Sequence, residues 1–124
     1  MERDTPQRRA IREVLTRAGR PMSPAEVLDA GEALATGLGI ATVYRNLKLL
    51  TESGWLCSVD LPGETTRYEV SGKPHHHHFL CRECDRAFEV PEHCPGNHRF
   101  SAPSGFRVEA HEVVLYGVCA TCMN

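Results

Sequence analysis

The chain has 124 residues, 41% of them hydrophobic and 24% charged, with a formal net charge of −2. That length allows one domain or two very small ones. It contains no apolar run of the ~20 residues needed to span a bilayer. The opening Met1-Glu2-Arg3-Asp4 lacks the character of an export signal, so the expected compartment is the cytoplasm, with no membrane partner. Thiols there stay reduced, and paired cysteines read as ligands rather than disulfides. Residues 1–50 carry eight basic against six acidic side chains, whereas the remainder carries six against ten. A mildly basic N-terminal half is compatible with an anionic partner, although the overall pI would not by itself indicate DNA.

Thr5-Pro6 opens the first expected helix, with Thr as N-cap, Pro at the first helical position, and Gly19 as the stop. Ile11, Val14 and Leu15 recur along it at helical spacing. Ser23-Pro24-Ala25-Glu26 is a capping box, and Val27, Leu28 and Leu34 give the second helix an apolar face. A third helix is expected from about Ala41 to Ser53, stopped by Gly54, with Val43, Leu47, Leu50 and Leu49 on its apolar side. Thr42, Tyr44, Arg45, Asn46 and Lys48 are left for other surfaces. Residues 55–61 and 65–70 then read as strands around a Pro62-Gly63 turn. Three helices and a hairpin make the winged helix-turn-helix pattern. Ser71-Gly72-Lys73-Pro74 reads as a hinge. Beyond it, residues 79–80, 87–90 and 106–118 read as strands, and residues 91–105 mostly as loop.

The chemistry concentrates in four places. Thr42, Tyr44, Arg45 and Asn46, near the start of the third helix, are the residue types that reach base edges and phosphates from a major groove. A solvated amphipathic helix would look the same on these residues alone; the hairpin that follows favours DNA. Cys81-x-x-Cys84 and Cys119-x-x-Cys122 together can supply four thiolates to one closed, tetrahedral, structural zinc site. The run His75-His76-His77-His78, if extended, places His76 and His78 on one face and His75 and His77 on the other. One strand would then feed two sites. Its internal position argues against a purification tag. Cys57 and Glu69 are candidate partners for His76 and His78, which would tie both sides of the hinge. The bland alternative for Cys57 is a small buried apolar residue. His111, with Cys94, His93 or His98, is a candidate partner for His75 and His77. The chain has neither H-E-x-x-H nor H-x-E…P-C-x-x-C, so an enzyme is not expected.

These residues resemble the ferric uptake regulator family of bacterial metal-sensing repressors. The likeness rests on Thr5-Pro6-Gln7-Arg8, on Ala41-Thr42-Val43-Tyr44-Arg45-Asn46-Leu47, and on Arg67-Tyr68-Glu69. It continues through the histidine run into Cys81-x-x-Cys84, then Gly105-Phe106, His111, and Leu115-Tyr116-Gly117 before Cys119-x-x-Cys122. The pieces fall in order over nearly the whole chain.

The resemblance implies an α+β fold: a winged helix-turn-helix DNA-binding domain over residues 1–72 and a small α/β dimerisation and metal-binding domain with a three-stranded sheet over residues 73–124. It implies a homodimer on double-stranded operator DNA, with Tyr44 and Arg45 at base-contacting positions. It implies structural zinc on Cys81, Cys84, Cys119 and Cys122, and a regulatory metal near the hinge that includes Glu69, His76 and His78. His75, His77 and His111 fall on a further site. Iron and peroxide sensors of the family usually carry a histidine in the turn before the second helix; here that turn is Arg20-Pro21-Met22, and Cys57 sits at the wing instead. A thiolate with imidazoles and a carboxylate suits zinc. The expectation is therefore a zinc-responsive repressor of metal-uptake genes, with Zn²⁺ at the structural and regulatory sites and Cys57 completing the latter. The helix with a glutamate that the family carries there is replaced by residues 92–98; Cys94 is the chosen fourth member of the further site because a further thiolate again fits zinc, with His98 as runner-up. The alternatives are a sensor of iron (Fe²⁺), manganese (Mn²⁺) or peroxide on the same fold and, from another class, a zinc-storage or zinc-delivery protein.

Overall fold

Residues 4–90, 96 and 100–124 are described by the computed structural model, and the chain divides into two units, Met1–Lys73 and Pro74–Asn124. In the first unit, α1 (Pro6–Ala18) begins where the Thr5 hydroxyl oxygen accepts the Arg8 N–H at 3.1 Å. It ends at Gly19, whose φ of 60° favours glycine. Helix α2 (Pro24–Gly31) is closed by the full capping box: Ser23 Oγ accepts from Glu26 N at 3.2 Å, and Glu26 Oε1 accepts from Ser23 N at 3.0 Å. Leu34, expected on its apolar face, lies beyond the helix and is 42% exposed. The helix ends against Leu38: a Cβ added to Gly31 would lie 2.6 Å from Leu38 Cδ2.

Helix α3 (Ile40–Glu52) buries Val43, Leu47 and Leu50 and also Asn46, which the pattern assigned to the polar side. Strands β1 (Leu56–Val59) and β2 (Arg67–Val70) pair antiparallel, with Leu56 opposite Val70 and Cys57 opposite Glu69. They are shorter than the expected runs because residues 60–66 form the wing's turn, where Thr66 Oγ1 donates to Asp60 Oδ1 at 2.7 Å. Two 2.9 Å backbone bonds between Met22 and Tyr68 dock the wing onto the turn before α2. Leu56 enters a core with Ile11, Leu15, Val27, Val43 and Leu47, and Tyr68 and Val70 pack against it. Each buried Leu or Val side chain contributes roughly 1.5–3 kcal/mol.

The second unit is a three-stranded mixed sheet in the order β4-β3-β5. Strand β3 (His77–Cys81) is longer than expected because it has neighbours on both sides: β4 (Ala87–Val90) antiparallel and β5 (Val114–Gly117) parallel. Strand β5 is shorter than the expected run over residues 106–118, because its ladder partner among the described residues, β3, spans five residues. Residues 103–106 instead turn back, with Phe106 N–H bonded to Pro103 O at 3.0 Å. A single helical turn, α4 (Ala120–Met123), follows β5; the spacing of Cys119 and Cys122 did not announce it. The fold class is the expected one, an N-terminal winged helix-turn-helix followed by a small α/β unit with a three-stranded sheet.

Candidate metal centres and nucleic-acid interface

Cys81 ends β3, and the chain turns tightly through Cys84 and Asp85, with Asp85 N–H returning to Cys81 O at 3.0 Å. Asp85 holds a φ of 60°, a conformation that Asp tolerates better than most side chains. Across the sheet, Cys119 caps α4, and Arg82 N–H bonds Gly117 O at 2.7 Å, so the two C-x-x-C turns meet at one end of the β3–β5 pair. The sulfurs of Cys81, Cys84, Cys119 and Cys122 all lie within 4.8 Å of one another. The Cys84–Cys119 Sγ separation is 3.8 Å. A tetrahedron with Zn–S bonds of about 2.3 Å has an edge of about 3.8 Å, so the thiols fit zinc.

The electrostatics agree with a shared cation site. Backbone N–H groups of Cys84 and Cys119 aim at the Cys81 sulfur, the latter at 3.3 Å, and hold its pKa down to about 6 despite burial. Cys122 is pushed up to about 12 by its hydrogen bond to Cys119, by burial and by the other thiols. Cys81 is thus eased toward its thiolate, while Cys84 and Cys122 resist ionising beside it. A bound dication reverses that repulsion.

The histidine run divides as alternation requires. His76 and His78 lie with rings 4.8 Å apart. His76 Nδ1–H donates to Pro74 O at 2.9 Å, the kind of backbone bond that orients metal-ligating histidines. On the other face, donor atoms of His75, His77 and His111 lie within 4.8 Å of one another, with His75 Nε2 3.3 Å from His111 Nε2. Burial and the His75 and His111 rings hold the His77 pKa below its usual value. Its Nδ1 accepts the Val113 N–H at 3.0 Å, so a cation at that atom would compete with this bond. Cys94, the expected fourth member, and its alternatives His93 and His98 lie outside the described residues.

The other expected hinge ligands belong to the first unit. Cys57 and Glu69 are cross-strand partners and so share a face of the hairpin, opposite the face that Leu56 and Val70 present to the core. Cys57 is exposed and Glu69 buried. Burial first, and then the Glu69 charge, raise the Cys57 pKa.

Sequence reasoning missed Glu89. It stands opposite His78 on β4, and its Oε1 is 3.7 Å from His76 Nε2. A single glutamate in a short strand carries no motif. Only the β3–β4 register shows that it joins the histidines.

On α3, Tyr44 is 51% exposed, Arg45 is exposed and Thr42 is half-buried. Tyr44, Arg45 and Lys48 line one side of an open groove of about 680 Å³, with Ser58, Asp60, Thr66 and Tyr68 of the wing on the other. Asn46 is placed differently from these residues. It is 4% exposed. Its Oδ1 accepts Arg8 Nε at 2.9 Å and its Nδ2 donates to Thr42 O at 2.9 Å. Both ends of the amide are engaged inside the unit.

One chain thus carries a winged helix-turn-helix and, in its second unit, a small sheet that gathers thiols and imidazoles. Residues 2–116 match the model of the ferric uptake regulator family, and the chain belongs to that family. It is 38% identical over 89 residues to a ferric uptake regulation protein of Campylobacter jejuni, an alignment covering 70% of this chain and 57% of that protein. The chain thus spans less than two thirds of the length of that relative. It is 30% identical over 124 residues to a peroxide operon regulator of Bacillus subtilis, covering 97% of this chain and 83% of that one. Its fold is similar to that of a zinc-bound manganese uptake regulator, with a TM-score of 0.76, 26% identity, and coverage of 95% and 91%. Relatives named for iron, peroxide and manganese are therefore all similar to this chain.

Proposed function

We propose that this protein is a zinc-responsive transcriptional repressor of metal-uptake genes, a cytoplasmic homodimer that binds double-stranded operator DNA when metal is bound. It is not an enzyme on this reading, since family membership favours regulation. Structural Zn²⁺ is assigned to Cys81, Cys84, Cys119 and Cys122. The regulatory Zn²⁺ is assigned to Cys57, Glu69, His76 and His78, with Glu89 added as a further donor. Residues 1–72 are assigned to DNA binding and 73–124 to dimerisation. A further site is assigned to His75, His77 and His111, with Cys94. Bound metal would supply positive charge that draws these donors together, and so favour one conformation of the hinge residues for DNA.

One observation carries the zinc reading: a thiol, Cys57, in cross-strand register with Glu69. Thiolate with imidazole and carboxylate is a donor set for zinc rather than for six-coordinate iron or manganese. Glu89 beside His76 favours a second reading, an iron or manganese sensor, because it adds oxygen to the set. The test is DNA binding followed by fluorescence anisotropy against buffered free zinc, and separately against iron(II) and manganese(II). Zinc alone switching the binding supports the reading. Switching by iron(II) or manganese(II) at lower free concentration than zinc overturns it in favour of the second.

A further inference from the structure

Lys48 is exposed in the second half of α3, one turn after Arg45. Among the described residues, no hydrogen bond or ion pair engages its ammonium group. Glu52 follows it by four residues, the less favourable order for a helical ion pair. Cations of α1 differ: Arg9 and Arg12 reach Asp4, and Arg17 reaches Glu13. The groove that Lys48 lines lies between α3 and the wing, with Ser58 on the opposite wall. Arg45 and Lys48 there stand against Glu52 and Asp60, so the groove is no general funnel for anions. Asp60 is engaged, its carboxylate accepting the Thr66 hydroxyl at 2.7 Å. Arg45 is turned to the Thr42 hydroxyl at 3.3 Å. A contact with an anion in this groove is therefore a local one, and Lys48 is its cation. An α-helix about 10–12 Å across fills a major groove about 12 Å wide, so the two sugar-phosphate strands run along its flanks. The wing lies on one flank of α3, and the strand on that side meets the groove between them.

Resting on the DNA-binding reading above, we infer that the groove between α3 and the wing seats one sugar-phosphate strand of the bound duplex, and that Lys48 contacts a phosphate of that strand. Lys48 adds affinity that is independent of sequence, while Tyr44 and Arg45 read bases. An ammonium group suits this role, because it meets phosphate as a point charge and demands no fixed geometry. A neutralised phosphate releases counterions, so each such contact contributes about 0.9 to the slope of log affinity against log salt.

The experiment uses the full chain with zinc. A labelled duplex recovered by wild-type protein from a randomised pool and a scrambled duplex of equal length are titrated at salt concentrations from about 50 to about 200 mM. Lys48→Gln removes the charge at an exposed position, so thermal stability should be retained. Its slope should be shallower than that of wild type by about 0.9 per protomer on both duplexes. Lys48→Arg keeps a cation and should keep the wild-type slope. Ser58→Lys adds a cation to the opposite wall and should steepen the slope on both duplexes. A wild-type slope in Lys48→Gln overturns the phosphate contact, and so does a slope in Lys48→Arg as shallow as that of Lys48→Gln. An unchanged slope in Ser58→Lys overturns the seating of a strand in the groove. A loss confined to the selected duplex means Lys48 reads a base, which also overturns the inference. If wild-type protein binds both duplexes and Arg45→Ala weakens the selected one while Lys48→Gln changes nothing, only this inference fails. If wild-type protein binds neither duplex, the DNA-binding reading fails with it.

Discussion

Cys57 stands directly across the β1–β2 hairpin from Glu69, so a thiol and a carboxylate share one face of the wing. The wing is docked to the helices on its other face, through Leu56, Tyr68 and Val70. Replacing Cys57 therefore removes a donor without disturbing the core. Cys57→Ser should leave thermal stability within about 0.5 kcal/mol of wild type. The free zinc needed for half-maximal DNA binding should rise at least tenfold, since even changes outside the ligand shell cost about 10–100-fold in metal affinity. Buffered-zinc anisotropy titrations measure both midpoints, and an unmoved midpoint would remove Cys57 from the site.

The four-thiol cluster should behave differently. Its members join the end of β3 to the segment after β5, and the second unit has a small sheet with a modest buried core of Leu80, Cys81 and Ala87. Metal affinity there is largely folding free energy. Cys81→Ser, or removal of zinc by a strong chelator, should abolish cooperative unfolding of the second unit in calorimetry while the winged-helix transition persists. A Cys81→Ser protein with both transitions intact would count against a structural metal.

Arg45 is exposed, with its guanidinium on the Thr42 hydroxyl. Arg45→Ala should cost about 1–3 kcal/mol on a selected duplex and far less on a scrambled one. Equal losses on the two would make Arg45 a backbone contact, and no loss would remove α3 from recognition.

Gly31 tests the packing of the helix-turn-helix. A Cβ at that position meets Leu38 Cδ2 at 2.6 Å, and Leu38 is buried. Overpacking of this kind costs about 1–3 kcal/mol, against up to ~1 kcal/mol gained by replacing Gly in a helix. Gly31→Ala should thus lower the melting temperature of the first unit by several degrees. A raised melting temperature would mean that Leu38 repacks without cost.

Much of this was legible in the chain itself. Caps and stops at Thr5, Gly19, Ser23 and Gly54 are local chemistry, and they marked the helices. The C-x-x-C turns and the alternation of the histidines are spacing rules, and the structure gathers both groups. What failed to show was non-local. The burial of Asn46 follows only once Arg8 arrives from another helix to claim its carbonyl oxygen. Glu89 becomes a candidate donor only once β3 and β4 are in register. The last strand was overextended because alternation in residues 106–118 says nothing about how long its partner is.

The parallel pairing of β3 with β5 joins residues 36 apart, such as His78 and Val114. The helices of the first unit, by contrast, are held by hydrogen bonds between neighbours in sequence, while its wing docks through Met22 and Tyr68 across an even longer span. Chain closure over such a span must be met before any sheet contact repays it, and topologies of that kind fold slowly. On refolding, the three helices of the first unit should therefore form before the sheet. Newly made chains would pass through a stage with α3 formed and the thiols still apart. A cation captured by one C-x-x-C turn at that stage would shorten the search for the other.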